Sequence, residues 1–232
     1  NTALLAAAAQ LSDAFSGRAA EFDEARRLSQ DASDAMAQAG FYRLFVPKHL
    51  GGLEASPLVS AKIFERLAQG NAACGWVAFI AATSGSTLGN IPEDTARAIF
   101  SHPNTMVAGV FAPSGKATVN AGEVTVDGRW QWGSGTQNAD WVLGGSLVDS
   151  GGDKPSQHMI LMPAQQVEFL DTWHVSGLQG TGSTDYEVKN LTLPDSHIVG
   201  YDGNRPPRTS LYQFPQFLSL IHISEPTRPY WI

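Results

Sequence analysis

The chain changes its hydrophobic period near residue 104, and this change constrains the fold more than any other feature of the sequence. Up to about residue 101 apolar residues recur at helical spacing in an alanine-rich background, and from Met106 onward they alternate. A helical period buries one stripe of a cylinder, whereas a period of two buries one face of a sheet. Helices followed by a run of strands predict an α+β chain with segregated parts. The expected division is an all-helical N-terminal domain over 1–103 and an antiparallel β middle domain over 104–200. No internal repeat is present, nor the β-α-β alternation that builds a parallel sheet.

Local signals agree with that division. Ser29 is placed to N-cap a helix, with Asp31 and Asp34 near the positive end of its dipole and Gly40 where a left-handed C-cap is expected. Ser56-Pro57 opens the next helix with proline at its first position, and Val59, Ile63, Phe64 and Leu67 share one face. Residues 72–88 are nearly all apolar or small, the composition of a helix buried on most sides. Pro92-Glu93-Asp94 starts a fourth, short helix. In the second half, Ala117-Thr118-Val119 and Val124-Thr125-Val126 flank Asn120-Ala121-Gly122-Glu123, a hairpin signal. Asp127-Gly128 then punctuates before a short strand over 129–132. Residues 141–148, 158–162 and 186–193 read as further strands, the last closed by Pro194.

Composition narrows the function. The chain is 43% hydrophobic and 16% charged, which is globular and not disordered. A net charge of −7 argues against nucleic acid or an anionic membrane as a partner, since both select basic surfaces. A lone cysteine, Cys74, rules out an intrachain disulfide and a cysteine-cluster metal site, and it fits a reducing, cytoplasmic compartment. No apolar run comes near the ~20 residues that span a bilayer. Residues 3–9 are apolar but have no basic leader or cleavage site, and read as helix. The first residue is not Met, so the chain is expected to start inside a longer reading frame. After Leu220 the segment 221–230 continues no pattern and resembles peptide translated from sequencing-adapter DNA. Residues 219–232 are therefore expected to be a non-native tail, and 201–218 a linker.

Most familiar chemistries find no motif. There is no glycine-rich phosphate loop and no dinucleotide fingerprint, and the histidines at 49, 102, 158, 174, 197 and 222 stand singly, without metal-ligand spacing. Gly133-Ser134-Gly135 lacks the spacing of a nucleophile elbow. What remains is an aromatic and small-polar cluster over 128–141. Trp130 and Trp132 share a face if the pleat is regular. Glycines beside Ser134 let backbone approach a flat ligand closely. Such a surface suits an isoalloxazine ring, which needs stacking area, backbone donors and a hydroxyl near its reactive nitrogen. Taken alone, a tryptophan on a strand is more often plain packing.

The same cluster resembles the middle-domain motif of the acyl-CoA dehydrogenase superfamily, carried here by Gly128, Trp132-Gly133-Ser134 and Ala139-Asp140. Residues 40–47 with Gly51-Gly52 resemble that family's first-domain signature. Residues 171–178, Gly180-Thr181-Gly182-Ser183 and Leu193-Pro194 resemble its downstream anchors, so the likeness runs in order from about 20 to 200. Within the superfamily the wording is similar to the two-component, reduced-flavin-dependent monooxygenases. The dehydrogenases' Thr-Glu-Pro and Gly-Ser-Asp are replaced by Phe111-Ala112-Pro113 and Gly115-Lys116-Ala117. The Asp171-Thr172-Trp173 stretch with its Gly-Thr-Gly-Ser, and the Ser134-Gly135 pair, are typical of the monooxygenase branch.

That resemblance implies a helical domain, a β-barrel or sandwich middle domain and a C-terminal four-helix bundle that this chain lacks. It implies reduced FMN or FAD delivered by a separate flavin reductase, oxygen adding at the flavin C4a carbon, and transfer to a small aromatic or heterocyclic substrate. A homotetramer is implied as well. By position, Ser134 would be the catalytic hydroxyl near flavin N5. Trp132 and Gly133 would flank the ring, and Val110, Phe111, Ala112 and Pro113 would contact its other edge. Trp76, Thr83, Ser84 and Trp173 would line the substrate pocket, Thr83 and Ser84 standing where this branch often presents a histidine. Two alternatives stay open: an FAD-dependent acyl-CoA dehydrogenase whose base lies outside this chain, and an inactive flavin-binding fragment.

Overall fold

The computed structural model describes residues 1–201 together with 211 and 212, so the tail expected at 219–232 and nearly all of the linker expected at 201–218 lie outside the described residues. Among the described residues six α-helices precede the first strand: α1 (Thr2–Phe15), α2 (Ala19–Ala25), α3 (Gln30–Gln38), α4 (Pro57–Gly70), α5 (Ala72–Gly85) and α6 (Glu93–Ile99). Their ends follow the local chemistry. Gly40 turns the chain after α3 at φ +81. Ser56 Oγ accepts from the Val59 amide at 3.3 Å, with Pro57 at the first position of α4. Asn71 caps α5, its side-chain oxygen accepting from the amides of Ala73 (3.0 Å) and Cys74 (3.2 Å). Ser29 occupies the N-cap of α3 in extended conformation, but its hydroxyl accepts from Arg18 Nη2 at 2.9 Å in place of a helix amide.

Helix α5 has no polar face. With the 3-10 turn that continues it, residues 72–90 form one stretch of 19 residues that is long and apolar enough to cross a membrane, against the expectation that no run comes near that length. In this fold 72% of that stretch is buried, as befits a core helix. Around it Phe15, Phe22, Met36, Phe41, Ile63 and Leu67 close the helical core.

Seven strands follow: β1 (Val107–Asn120), β2 (Glu123–Gly133), β3 (Trp141–Asp149), β4 (Ser156–Pro163), β5 (Glu168–Leu170), β6 (Thr184–Pro194) and β7 (Ile198–Val199). They form one sheet in the order β5-β6-β2-β1-β3-β4-β7. The expected hairpin joins β1 to β2, with Asn120 opposite Glu123. Its two turn residues, Ala121 (φ +50) and Gly122 (φ +84), are both left-handed, as a two-residue hairpin with the right twist requires. The short strand expected at 129–132 is the end of β2.

The sheet is mixed where an antiparallel one was expected, because β1 and β3 run parallel. The reason is local. Strand β2 ends beside the start of β1, and residues 134–140 cross beneath that start. The amides of Asp140 and Trp141 donate to Met106 O, and the Asp140 carboxylate accepts from the Met106 amide at 2.8 Å. Strand β3 is thereby launched on the far side of β1 in the same direction.

Trp130, fully buried, is the centre of the sheet's core. Its ring stacks on Tyr186 at 5.3 Å, and its indole N–H donates to Gly145 O at 2.7 Å. Glycines on β1, on β2 itself and on β3 make room for it: a Cβ at Gly115, Gly128 or Gly144 would come within 2.5, 2.7 or 2.6 Å of the indole. Helices and sheet meet through Val46, Leu50, Leu88 and Phe100 on one side and Val107, Leu143 and Leu161 on the other.

Candidate functional site

The turn after β2 is clamped on every side. Position 133 has room only for glycine, because a Cβ there would stand 2.7 Å from the Tyr186 ring. The Ser134 amide donates to Trp132 O at 2.9 Å, the Gly135 amide to Thr181 O at 2.8 Å, and Thr136 Oγ1 to Gly133 O at 2.7 Å. Ser134 is buried, and its hydroxyl oxygen accepts from Trp76 Nε1 of α5 at 2.9 Å. It also lies 2.6 Å from Ser183 Oγ, which is 2.7 Å from Thr181 Oγ1. Thr181 in turn donates to Leu178 O at 2.9 Å.

Beside it, the pleat breaks. The β2–β6 register shifts between Trp130 and Gly133, and Trp132 sits at φ +62. Trp130 and Trp132 therefore do not share a face, as a regular pleat would have them do: the first points into the core and the second is 69% exposed. A left-handed backbone at a bulky residue costs about 1–2 kcal/mol, so something must hold it. Asp185 does. Its nearly buried carboxylate accepts from the Trp132 amide at 3.4 Å and pairs with Arg129 at 2.8 Å.

The segment 110–113 lies across a gap in the sheet. The β1–β3 register jumps from Val110 opposite Gly144 to Gly115 opposite Ser146, so the intervening residues bulge. The bulge folds onto Gly145, where a Cβ would lie 2.3 Å from Phe111 O. The β1–β2 ladder has already ended at Lys116 and Asp127. Tyr186 fills the breach: its hydroxyl accepts from the Val110 amide at 3.1 Å and donates to Leu143 O. Burial holds this phenol well above its ordinary pKa, so it stays a donor at any physiological pH. One buried tyrosine thus ties the Val110 bulge to the Gly133 turn, while Ala112 and Pro113 face outward.

Of the expected pocket residues, the structure brings Trp76 to Ser134 and leaves the others apart. Trp76 lines an open groove of about 440 Å³ with Phe64, Ala68, Gly75, Phe79 and Leu178. Phe64 meets Phe79 edge-on at 5.6 Å, and Trp76 lies 5.5 Å from Phe79. Thr83 is buried, its hydroxyl donating to Phe79 O (2.8 Å) and Ile80 O (3.1 Å) of its own helix. Ser84 is fully buried and its hydroxyl has no hydrogen-bond partner among the described residues. Trp173 is half-buried and donates to Gln179 O at 3.1 Å, closing its own loop. None of these three lines the groove.

Sequence reasoning missed Phe64 and Leu178 in the groove, Ser183 and Thr181 behind Ser134, and Asp185 and Tyr186 beneath the turn. The only prior signal was the small-polar run at 180–183, and nothing in its spacing says that it meets Ser134. Among the described residues no cluster of His, Cys, Asp and Glu could hold a metal ion. Cys74 is buried and its thiol is pushed up to about 12, so it is no nucleophile at neutral pH. The arrangement fits a flat, polar-edged heterocycle such as a flavin: an exposed ring held in a strained backbone, a buried hydroxyl at the head of a hydroxyl chain, and a bulged strand with exposed residues at its crest.

Comparison with known proteins gives the same direction. Residues 2–91 match the acyl-CoA dehydrogenase N-terminal domain. The chain is 35% identical over 178 residues to the indole-3-acetate monooxygenase of Pseudomonas putida, covering 76% of this chain and 45% of that one. It is 29% identical over 187 residues to HsaA, the oxygenase subunit of a flavin-dependent monooxygenase of Rhodococcus jostii (79% and 48%). Among solved structures, the HsaA monooxygenase from M. tuberculosis superposes with a TM-score of 0.84 at 28% identity, covering 92% of this chain and 58% of that one. XiaF from Streptomyces sp., in complex with FADH2 and glycerol, gives a TM-score of 0.78 at 25% identity (87% and 52%). The chain spans about half the length of the curated relatives it matches. Residues 2–91 thus belong to the acyl-CoA dehydrogenase N-terminal domain family, and the relatives matched over the longer stretch are flavin-dependent monooxygenases with the same superfamily fold.

Proposed function

We propose that this chain is part of the oxygenase component of a two-component monooxygenase, which takes reduced FMN or FAD from a separate flavin reductase and oxygenates a small aromatic or heterocyclic molecule. The observation that carries this reading is the Ser134 hydroxyl, buried between the exposed Trp132 and the aromatic groove at Trp76. A bound reduced flavin would supply the reaction with dioxygen; the chain supplies the setting. Trp132 and Gly133 would flank the ring, Ser134 would lie by its N5 edge, and the bulge at Val110, Phe111, Ala112 and Pro113 would meet its other side. The groove of Phe64, Trp76 and Phe79 offers an aromatic substrate edge-to-face and stacking contacts, each worth about 0.5–1.5 kcal/mol beyond area burial. Thr83, Ser84 and Trp173 are not among the residues that line this groove. The names of the relatives agree: one acts on indole-3-acetate, and another is an FADH2-dependent resorcinol hydroxylase from Rhizobium sp.. A homotetrameric, cytoplasmic protein belongs to the same reading, and the lone cysteine fits a reducing compartment.

The test is isotopic. The natural full-length protein is supplied with reductase-generated reduced flavin, a panel of phenols and indoles, and ¹⁸O₂. One ¹⁸O atom in the product supports the reading. Conversion of acyl-CoA to enoyl-CoA with an electron acceptor, and no oxygen incorporation, would replace it with the dehydrogenase alternative, against which Phe111-Ala112-Pro113 already weighs.

A further inference from the structure

The hydroxyl chain behind Ser134 has a direction that the donors and acceptors fix. A hydroxyl has one proton to give and two lone pairs to receive with. Leu178 O can only accept, so the Thr181 proton is committed to it. The Thr181–Ser183 contact must then use the Ser183 proton, and the Ser134–Ser183 contact must use the Ser134 proton. At the other end Trp76 Nε1 can only donate, so it occupies one lone pair of Ser134. What Ser134 has left is a single lone pair.

We propose that Ser183 and Thr181 are positioning residues that aim the Ser134 hydroxyl inward, so that the site offers its ligand a hydrogen-bond acceptor and no donor. This rests on the flavin reading above. N5 of a reduced flavin carries a proton and is a donor; N5 of an oxidised flavin has only a lone pair. The committed chain therefore satisfies the reduced form and sets lone pair against lone pair in the oxidised form. Reversal requires three hydroxyls to turn together and takes from Leu178 O one of its two donors, the Thr181 amide at 3.0 Å remaining. Both ends of the chain, Trp76 and Leu178, also line the aromatic groove, so the relay runs along the wall the substrate would touch.

The experiment is an equilibrium titration of the natural full-length protein with FMN and FAD, each oxidised and each reduced anaerobically. The readout is the ratio of oxidised to reduced Kd, which needs no turnover. Ser183→Ala leaves the Ser134 proton free to turn outward, and the ratio is expected to fall by about five- to tenfold, the worth of one hydrogen bond. Ser183→Thr should restore it, and Thr181→Val, a second probe should Ser183→Ala fold poorly, should lower it in the same direction. In a Ser134→Ala background Ser183→Ala should add nothing. A fall in the ratio with Ser134→Ala but none with Ser183→Ala or Thr181→Val overturns the positioning role and leaves the flavin reading standing. Equal losses from Ser183→Ala with and without Ser134 mark a merely structural residue and overturn it too. If Ser134→Ala changes neither the ratio nor either affinity, the flavin reading itself fails.

Discussion

Trp132 carries the clearest conflict between local preference and observed structure. A tryptophan at φ +62 is strained, and its exposure returns little burial energy for that strain. Such a residue is retained for what its ring does. Trp132→Gly should therefore leave the fold at least as stable, gaining up to about 1 kcal/mol as strain relief outweighs glycine's larger unfolded-state entropy. Flavin affinity should fall in the same variant, and denaturant melts beside flavin titration separate the two effects. The site was half legible at this scale. The Trp-Gly-Ser run pointed to the turn, but the regular pleat assumed for it fails at one residue, and the Asp185 carboxylate that enforces the break comes from a strand some fifty residues away. Thr83 and Ser84 read as pocket residues because they are polar on an apolar helix; helix geometry turns one back to its own carbonyls and buries the other.

At the scale of the element, β2 joins core to site. Its Trp130 fills the space that Gly115, Gly128 and Gly144 leave, and its end presents Ser134. A methyl at Gly144 would lie 2.6 Å from the indole and 2.9 Å from Met162 Cε; the methionine tip can yield, but the rigid, stacked indole has nowhere to go. Gly144→Ala should cost about 1–3 kcal/mol by overpacking, seen as a lowered Tm, with loss of the Trp130–Tyr186 stack in near-ultraviolet circular dichroism. Caps and hairpin were readable because they are short-range: Gly40, Ser56-Pro57 and the Ala121-Gly122 turn each rest on a few neighbouring residues. The parallel β1–β3 pair was not, since it depends on where residues 134–140 cross, and Asp140 fixes that by reaching back to Met106.

For the whole molecule, the helical layer and the sheet share one apolar seam, and Ser134 with Trp76 bridges them at its edge. Surface charge adds to this in a pH-dependent way. Arg18 pairs with Glu21 and Asp31 at 2.7 Å each, and its guanidinium holds both carboxyls below the usual carboxylate range. Groups with depressed folded pKa values stabilise above their unfolded pKa and lose that contribution as pH falls through the folded value. Arg18→Ala should therefore destabilise most near neutral pH and progressively less into acid; urea melts at pH 7 and pH 3 check the sign. The two-part order of helices then strands was plain from hydrophobic period alone. How the parts dock was not, because the seam draws single residues from both.

Oxygen partition in Ser134→Ala measures the role of that hydroxyl directly. The natural full-length protein and its variant are given equal reduced flavin, substrate and oxygen, and oxygenated product is counted against hydrogen peroxide released. If Ser134 serves the flavin, the variant still consumes oxygen, but product per flavin falls at least about tenfold and peroxide rises to match. Unchanged product yield with unchanged flavin affinity would contradict a functional Ser134 and leave the turn after β2 a structural feature alone.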